Sequence, residues 1–157
     1  MMNEIGLYNS MFCFMAFLKV IRVWFDFKLT NIDISTVTIS RIIEIYTHIL
    51  GLNNIPCDII LLLVESVENL LHNFCEEEYF SKITSSFCAF LDALSSIECS
   101  QYSISEIESS ITTILHLYSY LFSSLFWRYL ENEYLITIFY SMKAIFSNVC
   151  SLVFVLL

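Results

Sequence analysis

The scarcity of glycine and proline is the feature that most restricts how this chain can fold. Its 157 residues include 2 glycines and 1 proline, where average usage would give roughly ten and eight. Tight hairpin turns and phosphate-binding loops depend on these two residue types, so sandwiches, barrels and nucleotide-binding folds are disfavoured. We therefore predict an all-α fold of five or six helices, formed by a single helical domain over residues 1–157.

Charge and cysteine content limit the classes of partner and the redox compartment that we expect for the protein. The formal net charge is −9 and 57% of the residues are apolar. A negative field repels phosphate backbones, so we predict no nucleic-acid partner. The 6 cysteines lie within apolar helical patterns at wide spacings, which indicates buried thiols in a reducing compartment and not a disulfide framework.

Residues 36–98 are predicted to form amphipathic, acidic helices. In the first of them the apolar residues recur at helical spacing, at Ile39, Ile42, Ile43, Tyr46, Ile49 and Leu50. Two interpretations stay open for residues 32–40: a short β-strand, or a helix start capped by Asp33 or Ser35. Each later helix of this region also carries one polar stripe, a pattern typical of a water-facing bundle.

Residues 103–157 are predicted to form a helical hairpin. Ser103 and Glu106 match the S-x-x-E capping box that opens a helix. Residues 109–127 carry no charge and have the length of a membrane span. The eight Ser, Thr and His residues among them favour a buried bundle helix, or a span packed on its neighbours through small residues, over a lipid-facing helix. A polar interval at residues 128–133 then separates this helix from the last one.

The two terminal segments are strongly apolar, and each is interpreted either as a membrane segment or as a core helix of the bundle. The core helix is favoured for residues 5–24 and the membrane segment for residues 134–157. Residues 5–24 form an apolar N-terminal helix interrupted by Lys19 and Arg22. Residues 134–157 carry a single charge, Lys143, which costs about 2.5–3.5 kcal/mol near the bilayer centre. We predict that the protein associates with a membrane, with a lipid bilayer as partner. Basic residues after the first segment point the middle region to the cytoplasm.

Candidate catalytic and metal-binding residues are present only as weak patterns. His72 and Cys75 have the spacing of a helical ligand pair, and Cys88 and Cys99 lie further on, but a second short pair is missing. The cluster at residues 76–78 is typical of a solvated turn. The histidines, His48, His72 and His116, lie on separate predicted helices, and no hydrolase, P-loop or zinc-protease motif occurs. We therefore assign no catalytic, cofactor-binding or metal-binding residue and predict that the chain is not an enzyme.

Three functional hypotheses remain from different classes. The first is a small helical membrane-associated protein without an assignable biochemical activity. The second is a soluble all-α interaction bundle that binds a protein partner, or itself, through apolar helices. The third is a translated non-coding frame, because excess Phe, Ile, Leu and Ser with few Lys and Gly is what the strand opposite a Lys-, Glu- and Asn-rich gene encodes. The regular helical periodicity and the caps speak against the third hypothesis.

Overall fold

The protein has the predicted all-α fold. A computed structural model describes residues 13, 15–20, 35–52, 55–74, 77–98, 102–123 and 131–156. These ranges contain six α-helices and one 3-10 helix, Glu77–Lys82, and no strand. The helices are α1 (residues 15–20), α2 (Thr36–Leu50), α3 (Cys57–Phe74), α4 (Thr84–Ser95), α5 (Ile104–Ser123) and α6 (Asn132–Leu156). Most of the apolar N-terminal segment predicted at residues 5–24 lies outside the described residues.

The helices pack with the next helix but one along the chain. The helices α2, α4 and α6 lie side by side with α4 in the middle, while α3 packs along α5. A smaller contact between α2 and α3 connects the two rows. The last helix therefore packs mainly on α4, and it meets α5 through individual side chains.

The starts of two helices follow their sequence signals. Ser35 precedes α2 with extended backbone, and its hydroxyl accepts a hydrogen bond from the Thr38 N–H at 3.3 Å. At α5 the Ser103 N–H donates to the Glu106 carboxylate at 2.8 Å, and the Glu106 N–H donates back to the Ser103 hydroxyl at 3.4 Å. These reciprocal bonds confirm the capping box. The pKa of Glu106 is lowered because its carboxylate accepts hydrogen bonds from the Ser103 hydroxyl, at 2.6 Å, and then from the Ser103 N–H. For the described residues 35–40, the helix start and not the strand is correct.

Two helix boundaries differ from simple expectation. Gly51 ends α2 at the predicted position, but its φ of −77° is in the ordinary right-handed region. Apolar residues at helical spacing predict a third amphipathic helix at about residues 79–97. The structure instead has the 3-10 helix Glu77–Lys82 followed by α4. Here the Ile83 N–H and the Thr84 hydroxyl both donate to the Phe80 carbonyl, at 3.0 Å and 2.8 Å. This local bonding tightens the backbone before the α-helix begins.

The core is formed by the predicted apolar seams. In α2, α3 and α4, the seam positions are buried or packed against the core, and most are below 5% exposed. The fully buried residues of largest volume include Phe80, Phe87, Phe90, Leu63, Leu70 and Leu71. Leu18 of α1 joins the same core at 0% exposure. Periodicity thus identified the buried face of each middle helix.

Candidate interaction surface

The inner face of α6 is fixed against the bundle. Ile138, Ser141 and Ile145 recur at spacings of three and four residues, and all three are buried. Further along the helix, the Asn148 amide donates to the Ser95 carbonyl at the end of α4, at 3.1 Å. Positions that point in the same direction on a helix therefore hold α6 against α4 over about three turns.

Ser141 connects three helices through a buried pair of hydrogen bonds. Its hydroxyl donates to the Leu91 carbonyl of α4 at 2.9 Å, and the Tyr118 hydroxyl of α5 lies 2.9 Å from the same oxygen. Because Ser141 has one proton and donates it to Leu91, Tyr118 must donate to Ser141. Burial raises the pKa of Tyr118 to about 12, with Ser141 opposing the rise. A specific polar contact inside an otherwise apolar interface thus fixes α6 to α4 and α5.

Replacing Ser141 should show the contribution of this contact. Ser141→Ala leaves the Tyr118 hydroxyl buried without its acceptor, so the free energy of unfolding should fall by about 1–3 kcal/mol. The measurement is urea denaturation followed by circular dichroism. Ser119→Ala, at an exposed position of α5, is the matched control and should change stability by less than about 0.5 kcal/mol. Tyr118→Phe together with Ser141→Ala should cost less than the two single changes combined, since no hydroxyl is then left unpaired.

The outer face of α6 exposes large apolar side chains. Tyr140 is 67% exposed, Ile136 54% and Phe139 52%. Phe146 continues the row one to two turns later, at 38% exposure. These four residues follow helical spacing and lie opposite the buried row of Ile138, Ser141 and Ile145. We refer to Glu133, Ile136, Phe139, Tyr140, Lys143 and Phe146 as the α6 outer face.

A neighbouring aromatic ring extends the surface onto α5. Phe122 is 42% exposed, and its ring centroid lies 5.5 Å from that of Phe139. The contact places an α5 side chain at the border of the α6 outer face, so the apolar surface is contiguous across two helices. Contiguous exposed apolar patches rimmed by polar residues mark interaction sites more often than isolated apolar residues do.

One charge of each sign lies on the α6 outer face. Glu133 is in the first turn of α6, and Lys143 follows ten residues later. Both residues are exposed. Neither side chain makes an ion pair with a described residue. Among the described residues, the one ion pair joins Arg41 and Glu44. The face therefore offers separated, unpaired charges of opposite sign on an apolar strip.

An apolar cavity lies between α3, α4, α5 and α6. Its volume is about 50 Å³, it is partly open to solvent, and its lining is mostly isoleucine and leucine. Its polar groups have partners already: the Tyr102 hydroxyl donates to the Ile55 carbonyl at 2.6 Å, and the Ser110 hydroxyl donates to the Glu106 carbonyl at 2.9 Å. No lining group that the structure describes stands out as a converging polar anchor, so the cavity has no evident means of orienting a ligand.

The proposed metal-ligand pattern does not come together in the described residues. His72 is exposed, and its ring meets Tyr120 edge-on at a centroid distance of 5.6 Å. Cys88 is buried, and burial, followed by the nearby Asp92, raises the pKa of its thiol to about 11. Cys75 and Cys99 lie outside the described residues, and the remainder contain no group of three potential ligands.

The other sequence candidates are dispersed. His48 on α2 and His116 on α5 are exposed, and each lies on a different helix from His72. Of the glutamates at 76–78, the first lies outside the described residues and the other two begin the 3-10 helix. Cys57, at the start of α3, lies 2.8 Å from the Ser110 hydroxyl, and burial raises its pKa. Neither His48, His116 nor Cys57 forms a nucleophile–base pair with another described residue.

Sequence reasoning did not identify the two faces of α6. Because residues 134–157 contain a single charge, the sequence predicts a candidate membrane segment there and does not divide it into a packed face and an exposed face. The signal that separates the faces is the spacing of Ser141 with Ile138 and Ile145, which places one small polar residue on an otherwise apolar stripe. Such a residue indicates a packed helix contact more than a lipid-facing position.

Hydropathy and comparison with known proteins complete the description of the surface. Over the described residues, no helix combines the length with the apolar character that crossing a bilayer requires. No family model, curated protein or solved structure matches this chain. What is established is a small, all-α helical protein.

Proposed function

We propose that this protein is a helical interaction module that binds an apolar helical face of a protein partner through the α6 outer face. The observation that supports the proposal is the division of α6 into two faces. One face is fixed to α4 and α5 through Ser141, and the other exposes Ile136, Phe139 and Tyr140. A helix that is held rigidly on one side loses little conformational freedom when its other side binds.

The exposed apolar area of the α6 outer face is the source of the free energy of binding. Fully burying a side chain such as Ile or Phe contributes roughly 1.5–3 kcal/mol. Three half-exposed residues of the α6 outer face, together with Phe122 beside them, therefore offer several kcal/mol to a complementary surface. Aromatic residues at the centre of a contiguous patch are the usual carriers of binding energy in helix-in-groove recognition.

Site-specific photo-crosslinking tests this function directly. A benzophenone amino acid in place of Phe139, in cells that express the full chain, should give a discrete crosslinked polypeptide on irradiation. The matched control carries the same group in place of Ile45, which is 55% exposed on α2, and should give no such product. Adding Ile136→Ser to the Phe139 probe should reduce the yield several-fold, because it removes apolar contact area next to the probe.

The crosslinking result separates the possible occupants of the surface. A polypeptide adduct at position 139 supports the interaction module, whether the adduct is a second copy or another protein. Lipid adducts alone at position 139, or equal adducts at positions 139 and 45, would contradict it.

Membrane association is the second candidate function. It is supported by the continuation of α6 to Leu156 and by the absence of any charge after Lys143 in the sequence. In this alternative, residues 134–157 enter a bilayer and residues 36–98 face the cytoplasm. Flotation of the purified chain with zwitterionic lipid vesicles at neutral pH tests it, because a net charge of −9 disfavours anionic vesicles. Recovery in the top fraction supports membrane association, and recovery at the bottom contradicts it.

A further inference from the structure

We propose that the partner of the α6 outer face is a second copy of this chain, bound antiparallel so that Lys143 of each copy meets Glu133 of the other. The inference rests on the proposed function, since it names the occupant of the same surface. The observation behind it is the position of the two charges on the α6 outer face. A second copy in the opposite direction would place an opposite charge against each of them.

Neither of the two charges has an ion-pair partner among the described residues. Lys143 is exposed among the aromatic residues Phe139, Tyr140 and Phe146, and no described carboxylate pairs with it. The Glu133 carboxylate is likewise without a described ion-pair partner, although its backbone carbonyl accepts from Thr137 at 3.0 Å. An apolar partner surface would bury Lys143 against hydrocarbon, which costs free energy unless a carboxylate is supplied.

Antiparallel pairing supplies that carboxylate twice. The two residues are ten positions apart, or about 15 Å along the helix. A two-fold axis that passes α6 at the level of Ile138, midway between them, places each Lys143 opposite the Glu133 of the other copy. An isologous interface uses the same patch on both copies, so a strip with one charge of each sign near its ends is complementary to itself.

The same register aligns the apolar residues. With the axis at residue 138, Ile136 of one copy lies opposite Tyr140 of the other, and the two Phe139 rings lie between these pairs. Parallel pairing would instead place Lys143 against Lys143 and Glu133 against Glu133, and like charges at an interface are destabilising. The charge pattern therefore selects both the partner and the orientation.

Interface size sets the expected strength. A single helix face with Phe122 at its border lies at the small end of specific protein interfaces. Each copy also carries a net charge of −9, which opposes association at long range. We therefore expect a dimer whose dissociation constant is on the order of micromolar.

Charge reversal in the purified full chain tests the register. Sedimentation equilibrium at neutral pH should show a monomer–dimer equilibrium for the unmodified chain. Lys143→Glu and Glu133→Lys should each raise the dissociation constant at least about tenfold, because each replaces two attractive pairs by two repulsive ones. Lys19→Glu and Glu108→Lys make the same charge changes at exposed positions off this face and should leave the constant within about threefold of the original.

Mixing the two reversed variants provides the decisive comparison. A Lys143→Glu chain carries two acids on the strip and a Glu133→Lys chain carries two bases, so an equimolar mixture should form a heterodimer of near-original affinity. The chain with both reversals should also recover self-association. A variant that merely unfolds cannot be restored in this way, which keeps the comparison informative for any variant whose helix content by circular dichroism changes.

The outcomes separate this inference from the function on which it rests. A monomer at all accessible concentrations, unchanged association in both reversed variants, or no recovery on mixing would each overturn the second copy as partner. In those cases a polypeptide other than a second copy, crosslinked at position 139, still supports the proposed interaction module. Absence of any polypeptide adduct there overturns both.

Discussion

Raising the pH from 9 to 12 should unfold the protein, with most of the loss between pH 10 and 12. Burial raises the pKa of both Tyr46 and Tyr118 from 10.0 to about 12. Above pH 10 a tyrosine in the unfolded chain loses its proton while the same residue in the folded chain keeps it. The unfolded state therefore binds fewer protons, and the free energy of unfolding falls as the pH rises.

The size of this effect follows from the two shifts. A rise in pKa from 10.0 to about 12 corresponds to roughly 2–3 kcal/mol for each tyrosine, so the pair lowers the free energy of unfolding by about 5 kcal/mol at pH 12. That is comparable with the total stability of many domains, which is about 5–15 kcal/mol. Cys88 acts in the same direction at lower pH, because burial raises its pKa from 9.0 to about 11.

Urea midpoints measured across this pH range, together with tyrosinate absorbance, check the prediction. Tyr46→Phe is the informative variant, because the Tyr46 hydroxyl is buried and its nearest polar neighbour is the Ser66 hydroxyl, with which it makes no hydrogen bond of good geometry. The variant should keep its stability near neutral pH and lose less of it at pH 12. Ionisation of all tyrosines near pH 10 in a chain that remains folded would contradict the buried placement of Tyr46 and Tyr118.

Phe87→Ala should destabilise the protein by about 3–5 kcal/mol. The side chain is 0% exposed on α4, and its ring meets that of Phe80 edge-on at a centroid distance of 5.7 Å. Removing it leaves a cavity in the helix that packs with both α2 and α6. Because the neighbouring side chains relax only in part, the cost includes the lost burial and the cavity itself.

The matched control is the same substitution on the α6 outer face. Phe139→Ala, at a position 52% exposed in the single chain, should change stability by less than about 1 kcal/mol in the same urea denaturation at protein concentrations below the dissociation constant of the proposed dimer. A comparable loss in the two variants would mean that Phe139 is buried in solution, either in the chain itself or in a stable dimer. Repeating the measurement at several protein concentrations distinguishes these two cases.

Local patterns predicted the fold well, and contacts between distant segments account for what was missed. Apolar spacing at Ile39, Ile43 and Tyr46 identified the buried face of α2, and the Ser103–Glu106 capping box identified the start of α5. Both signals lie within one or two helical turns. The 3-10 helix before α4 was missed because it depends on the bonding of Ile83 and Thr84 to one carbonyl, which apolar spacing does not encode.

The candidate surface was harder to predict for the same physical reason. The residues of α6 alternate between faces at helical spacing, but both faces are apolar, so hydropathy does not tell which one the bundle covers. That choice depends on Ser141 reaching Leu91 and Tyr118, residues 50 and 23 positions away. A single sequence contains the serine but not the identity of its partners.

The pairing of each helix with the next but one has a consequence for synthesis of the chain. While α2 and α3 leave the ribosome, their main partners, α4 and α5, have not yet been made. The face of α4 that packs with α6 stays uncovered until about 50 further residues, up to Ser141, have been synthesised. This takes roughly 3–10 s at usual elongation rates. During that interval the apolar surface of α4 is exposed on the nascent chain. It therefore favours aggregation unless a chaperone covers it or synthesis is fast. Stalling translation just after α5 should therefore give the species most prone to aggregate or to recruit a chaperone.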